Sequence, residues 1–176
     1  MKSKITETLL ASLGTLVFLF LIIPFFYIWI PHRILLSSEH IYRFEIGIYR
    51  YLGLAPIFLG VVIYIFCSGS FIFVGKGTPI PFTPTKELIV TGLYRYVRNP
   101  LYIAGFLVLA GEAILFQSAG IFIYCLVMFG IFNVHVIMEE TLLAEKFGAR
   151  YKQYCESIPR WIPRVKPYRK NNSEFK

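Results

Sequence analysis

Three stretches almost free of charge constrain this chain more than any motif. Residues 8–30 give 23 positions without a charged side chain, and residues 51–74 give 24. About 20 apolar residues suffice for a helix to cross a bilayer. Residues 101–138 run for 38 positions with Glu112 as the sole carboxylate or strong base. One helix of that length overshoots any membrane, so the run must break. Gln117 to Gly120 is the natural place, which predicts helices over 100–116 and 119–138 joined as a tight hairpin. The first run is too long for the apolar core of a signal peptide. It also carries Phe25, Phe26, Tyr27 and Trp29 where a cleavage site needs small residues, so it reads as a retained span, kinked at Pro24. Charged residues make up 16% of the chain, against roughly 25% in soluble proteins. The expectation is one all-α integral membrane domain over 1–176, with about four transmembrane helices, a C-terminal helical hairpin and a cytoplasmic helical tail.

The segments between the runs set the orientation. Residues 75–99 hold Gly75, Gly77, Pro79, Pro81 and Pro84, which forbid a long helix there. After residue 138, Leu142, Leu143 and Phe147 fall at amphipathic spacing, so the last span continues as a helix until Gly148 and resumes after it. Pro159, Pro163 and Pro167 then punctuate a basic tail. Lys and Arg number 15 on the side holding the N-terminus, the 75–99 loop and the tail, against 3 on the other. The positive-inside rule makes both termini cytoplasmic. It also brings 75–99 and 139–164 to one compartment. The formal net charge of +8 flanks the spans and forms no continuous solvated stripe, which argues against nucleic acid. Three cysteines, two of them inside apolar runs, make neither a disulfide framework nor a metal knuckle. Nothing here indicates an oligomeric state.

The stretch 91–102, TGLYRYVRNPLY, concentrates the chemistry. Asn99 is a favoured N-cap and Pro100 a favoured first helical residue. The helix start aims free amides and a positive dipole end at the loop. Arg95 and Arg98 add charge there, and Tyr94, Tyr96 and Tyr102 add aromatic faces, as a ligand with an anionic group and a flat ring requires. Forty residues on, Glu139 and Glu140 end the apolar run. They point about 100° apart on a helix, so one is expected at the site and the other in water. His135 shares the face of Glu139. The remaining histidines, His32 and His40, map to the opposite side, which leaves half a metal site. Glu112 is expected near the far interface, neutral or paired. Arg160, Trp161, Arg164 and Lys166 read as a basic and aromatic interface anchor in preference to a ligand clasp.

TGLYRYVRNPLYIAG followed by MEETLLAEKFGARYKQYCESIPRWIP resembles the isoprenylcysteine carboxyl methyltransferase family and its phospholipid methyltransferase relatives. The resemblance covers 75–163. It rests on a combination: G-x-Y, R-[HN]-P-x-Y, a glutamate pair, FG-x-x-Y and a terminal P-R. It implies a small helical membrane enzyme that uses S-adenosyl-L-methionine at the cytosolic mouth. By position, the implied cofactor contacts are Lys86, Glu87, Leu88, Ile89, Tyr94, Asn99, Pro100, Leu101, Tyr102 and Glu139. Asn99 stands where the family often has a protonatable His. His135 stands where carboxyl-methylating relatives have an Arg facing the substrate carboxylate, and it is a weaker, pH-dependent partner for an anion.

His135 and Arg98 are the candidate catalytic side chains. Aromatic faces and a carboxylate suit a cationic sulfonium, and helix amides with Arg98 suit an amino-acid carboxylate. A lipid-like methyl acceptor can enter sideways from the bilayer, and carboxyl and amine acceptors both stay open. The rival reading is a non-enzymatic membrane module that binds a lipid or partner on the same scaffold.

Overall fold

The computed structural model describes residues 21–37, 43–73 and 88–168, with the side chains of 71–73 left aside. Within them every regular element is helical. A π-helical turn, Phe25–Trp29, leads into α1 (Ile30–Ser37). The widened turn begins directly after Pro24, where a kink was expected, and ends just before Pro31, which has no amide to give to the ladder. The helix then runs through Ser37. A 3-10 segment, Gly47–Gly53, leads into α2 (Leu54–Phe73). Pro56 sits in its first turn, where an amide lacks an intrahelical partner anyway. A second 3-10 turn, Gly92–Arg95, precedes α3 (Pro100–Leu115). It is followed by α4 (Ala119–Phe147) and α5 (Ala149–Ser157).

Two helical stretches, Gly47–Ser70 and Ala119–Phe147, are long and apolar enough to cross a membrane among the described residues. The expectation was about four spans with a spanning hairpin; among the described residues two reach that length. α3 has 16 residues, about 24 Å at 1.5 Å per residue, short of a hydrocarbon core of roughly 30 Å. Most of the first expected span, 8–20, lies outside the described residues.

The hairpin turn forms where the apolar run demanded it. Gln117 adopts φ 55°, a left-handed conformation uncommon for a residue with a side chain. Three bonds hold it. Its carbonyl accepts from Phe44 N at 3.1 Å, its Oε1 accepts from Ile46 N at 2.8 Å, and its own N–H donates to Ile114 O. Buried Ser118 caps α4 by accepting from Ile121 N at 3.2 Å. The 43–46 segment therefore lies at the hairpin end of the bundle.

α2 and α3 pack antiparallel through small residues. A Cβ on Gly60 would lie 2.6 Å from Ala104 O, and one on Gly111 would lie 2.6 Å from Gly53 O. Backbones that close exclude any side chain, the packing that membrane helices favour. Gly105 makes room in the same way for the Tyr27 ring, and Phe26 and Tyr27 join Leu109, Cys125 and Met128 between α3 and α4. Many large apolar side chains face outward, among them Phe58, Ile65, Phe66, Ile123 and Val127. A surface of that kind suits lipid in place of water.

α4 runs unbroken past residue 138, as its amphipathic spacing predicted. Gly148, at φ 57°, ends it with its N–H on Ala144 O at 2.8 Å. α5 then folds back so that Tyr151, Tyr154 and Ile158 bury against Leu88, Val90, Leu143 and Phe147. This small cluster ties the loop before α3 to the end of α4 and so assembles the end of the bundle opposite the hairpin turn.

Candidate functional site

Pro100 takes the first position of α3, as the sequence predicted, and Asn99 stands at the cap position. The Asn99 side chain does not cap, however. Its Nδ2 donates to the carbonyl of Arg160 at 3.3 Å. The reason is the tail, which passes close enough to compete for the amide. Asn99 therefore leaves the first-turn amides of α3 without a side-chain cap.

Tyr102, in the first turn of α3, donates its hydroxyl to Glu139 Oε2 at 2.9 Å. Thirty-seven residues of chain separate the two, and the hairpin alone brings them together. His135, one turn earlier on α4, sets its ring edge-on to Tyr102 at 6.2 Å between centroids. Phe132 completes the group, 5.2 Å from Tyr102 and 6.4 Å from His135. Tyr102, His135 and Phe132 thus form one group of rings, and the Glu139 carboxylate is bonded to it through Tyr102.

Glu140 does not face water. Its Oε1 lies 2.9 Å from Arg98 Nη1. Arg160 grips both of its oxygens, Nε on Oε1 at 3.1 Å and Nη2 on Oε2 at 2.7 Å. Glu140 and Arg98 are largely covered, at 17% and 15% side-chain exposure, which separates this cluster from a freely screened surface pair. The carboxylate raises the pKa of Arg160. Arg98, read from sequence as reaching for a ligand carboxylate, here spends one terminal nitrogen on Glu140. Arg160 and Trp161 are not a free interface anchor: Trp161 Nε1 donates to Asn133 Oδ1 at 3.2 Å.

The remaining tail runs along the loop that holds the motif. Arg98 N donates to Pro159 O, Arg164 N to Tyr96 O and Tyr168 N to Arg95 O, at 3.0, 3.0 and 2.9 Å. Tyr154 Oη donates to Tyr94 O at 2.9 Å. Burial pushes the Tyr94 and Tyr154 phenols well above the ordinary value, so both stay neutral donors.

The other sequence-predicted contacts divide. Leu101 lies partly buried beside Tyr102, against the cluster of Cys67, Ile89 and Tyr94. Ile89 and Tyr94 are buried in that packing, and Leu88 packs on Tyr151 and Tyr154. Lys86 and Glu87 lie outside the described residues. Glu112 sits one turn before the hairpin turn, far from this group along α3. An open apolar groove of about 360 Å³ among Leu21, Pro24, Phe25, Ile28, Trp29 and His32 is lined by none of the site residues. Sequence reasoning missed the Glu140 bridge and the role of Asn133. A lone amide within an apolar helix was the available signal for the second.

Residues from both halves of the motif pattern, Tyr102 from one and His135 and Glu139 from the other, thus meet at the start of α3. A family model described as phospholipid methyltransferase matches residues 48–150, more than half of the chain, and the chain belongs to that family. It is 32% identical over 79 residues to the protein-S-isoprenylcysteine O-methyltransferase of Schizosaccharomyces pombe, covering 44% of this chain and 34% of that protein. It is 29% identical over 119 residues to the probable protein-S-isoprenylcysteine O-methyltransferases of Oryza sativa subsp. indica and subsp. japonica, covering 64% of this chain and 60% of each. The chain thus spans between a third and three fifths of the curated relatives it matches. No solved structure matches it.

Proposed function

We propose that this chain is an S-adenosyl-L-methionine-dependent methyltransferase acting on a lipid or prenylated acceptor held in the membrane. The 2.9 Å bond between Tyr102 and Glu139 carries the reading, because it joins the two motif halves at one mouth. The residues there fit the cofactor's chemistry. The uncapped amides at the start of α3 suit its amino-acid carboxylate. Glu139, oriented by Tyr102, suits ribose hydroxyls or the amino group. Tyr102 and Phe132 offer faces to the sulfonium. When bound, the cofactor supplies an electrophilic methyl group for in-line displacement. The chain's part is to hold donor and acceptor aligned and dry, which contributes much of such a rate. His135 lies beside Tyr102 to contact the acceptor, and Arg98 adds positive charge at the mouth. Lys86 and Glu87 complete the contact set by the family pattern.

The proposal includes four membrane-embedded helical segments, with 8–30 and the short 100–116 joining the two long ones, and both termini in the cytoplasm. The short third segment is accommodated by local thinning or by cover from its neighbours. The test is to incubate membranes holding the protein with methyl-labelled cofactor and to analyse the labelled lipid fraction by mass spectrometry. A labelled lipid that vanishes in Glu139→Ala is expected. No label in any fraction, from protein shown to be folded, refutes the reading.

A further inference from the structure

We propose that Trp161 forms the wall of the acceptor's path between α3 and α4, and that Glu140 is the positioning residue that seats it there. The inference rests on the methyltransferase reading and adds to it a residue of the tail. Asn133, the indole's partner, lies six residues before Glu139 on α4, about 9 Å along the axis. Trp161 therefore reaches well below the level of the Glu139 carboxylate, toward the apolar middle of the bundle. Its ring lies 5.9 Å from Phe106 and 5.3 Å from Phe129. Phe106 continues to Phe132 at 6.1 Å, and Phe132 to Tyr102 at 5.2 Å. An unbroken aromatic row thus runs from Trp161 to the Tyr102–Glu139 bond. Phe129 stays 38% exposed on the outer face of α4, beside outward-facing Leu126. Trp161 consequently stands where the bilayer-facing surface meets the aromatic row. An apolar chain arriving from lipid toward Glu139 passes its face.

An interfacial anchor keeps its indole at the headgroups, with water or lipid for a partner. This indole has a protein acceptor and two ring neighbours. What carries it inward is the preceding residue. Arg160 locks onto Glu140 through two bonds, Glu140 also holds Arg98, and Pro159 accepts from the Arg98 amide. Glu140 and Asn133 lie seven residues apart, about two turns along one face of α4. Fixing Arg160 on Glu140 therefore holds the next residue against that face, where Trp161 meets Asn133 and Phe129. The Arg160 carbonyl also holds Asn99 beside the α3 start, so the same clasp borders the cofactor mouth.

The chain has two tryptophans, so Trp29→Phe leaves Trp161 as the sole fluorophore. This parent is placed in nanodiscs of phosphatidylcholine with plain or dibrominated acyl chains. Blue-shifted emission, little affected by aqueous iodide but quenched by more than half by the brominated chains, is expected. Glu140→Gln should red-shift the emission and open it to iodide, Glu140→Asp should restore the parent spectrum, and Asn133→Leu should reproduce the red shift without touching the clasp. Calorimetry follows S-adenosylmethionine binding by the same variants. Trp161→Phe should leave that affinity within about twofold, since the ring borders the acceptor and not the cofactor. If brominated chains leave the parent emission unchanged, Trp161 is not on the acceptor's path. If Glu140→Gln and Asn133→Leu both keep the parent spectrum, Glu140 does not seat it. Cofactor binding by the parent, measured alongside, reports on the methyltransferase reading alone.

Discussion

Tyr102→Phe tests the site most directly, because it deletes one oxygen and leaves the ring packed on Phe132. The lost bond is 2.9 Å long and ends on a carboxylate, a class worth roughly 1.5–3 kcal/mol. A carboxylate offers about four lone-pair positions, so Tyr102 can orient Glu139 through Oε2 while other lone pairs meet the cofactor. Without the phenol the carboxylate is free to turn. S-adenosylmethionine affinity should then fall by about ten- to a hundredfold, the equivalent of that bond energy. Glu139→Gln removes the charge and should weaken binding by a similar factor. The double variant is the decisive measurement. If Tyr102 acts through Glu139, the two losses share one interaction and the cycle shows a coupling of about 0.5–3 kcal/mol. Calorimetry on the four proteins in one detergent, with thermal unfolding to show that each is folded, gives the cycle. Strict additivity, or tighter binding by Tyr102→Phe, would refute the argument that the phenol positions the carboxylate.

Gly60→Leu should cost about 1–3 kcal/mol or more in thermal unfolding, because its Cβ meets the rigid Ala104 carbonyl at 2.6 Å. Gly69→Ala, with nothing within 4 Å, should be neutral or stabilising in the same assay. Ser118→Ala removes the cap on Ile121 N and should cost about 0.5–2 kcal/mol, read as a lower melting temperature with unchanged helix content. The buried Tyr94 and Tyr154 phenols titrate above their unfolded value of about 10. The unfolded chain therefore releases these protons first. The stability they contribute is complete below pH 10 or so and is lost as pH climbs toward the raised folded values. Tyr154→Phe should flatten that alkaline loss, followed by circular dichroism and tyrosinate absorbance.

The order of amino acids alone determined the helical class, a break within Gln117 to Gly120, the start of α3 at Pro100 and the end of α4 at Gly148. Each follows from local chemistry: an apolar run too long for one crossing, a ring that fits a first helical position, a glycine that accepts positive φ. The pairing of Tyr102 with Glu139 was legible as a juxtaposition, because a hairpin must return its second arm to the first. Only the tertiary structure decided what the glutamate pair does. Helical geometry separates the faces of Glu139 and Glu140, but which meets solvent depends on a tail segment about 20 residues later. That tail bonds to Glu140, Asn133 and the carbonyls of 95 and 96. No periodicity records such contacts, because an irregular strap held by backbone carbonyls leaves no pattern in side-chain identity. The same tail holds the Asn99 amide on the Arg160 carbonyl, and the start of α3 that the proposed cofactor site uses has no side-chain cap.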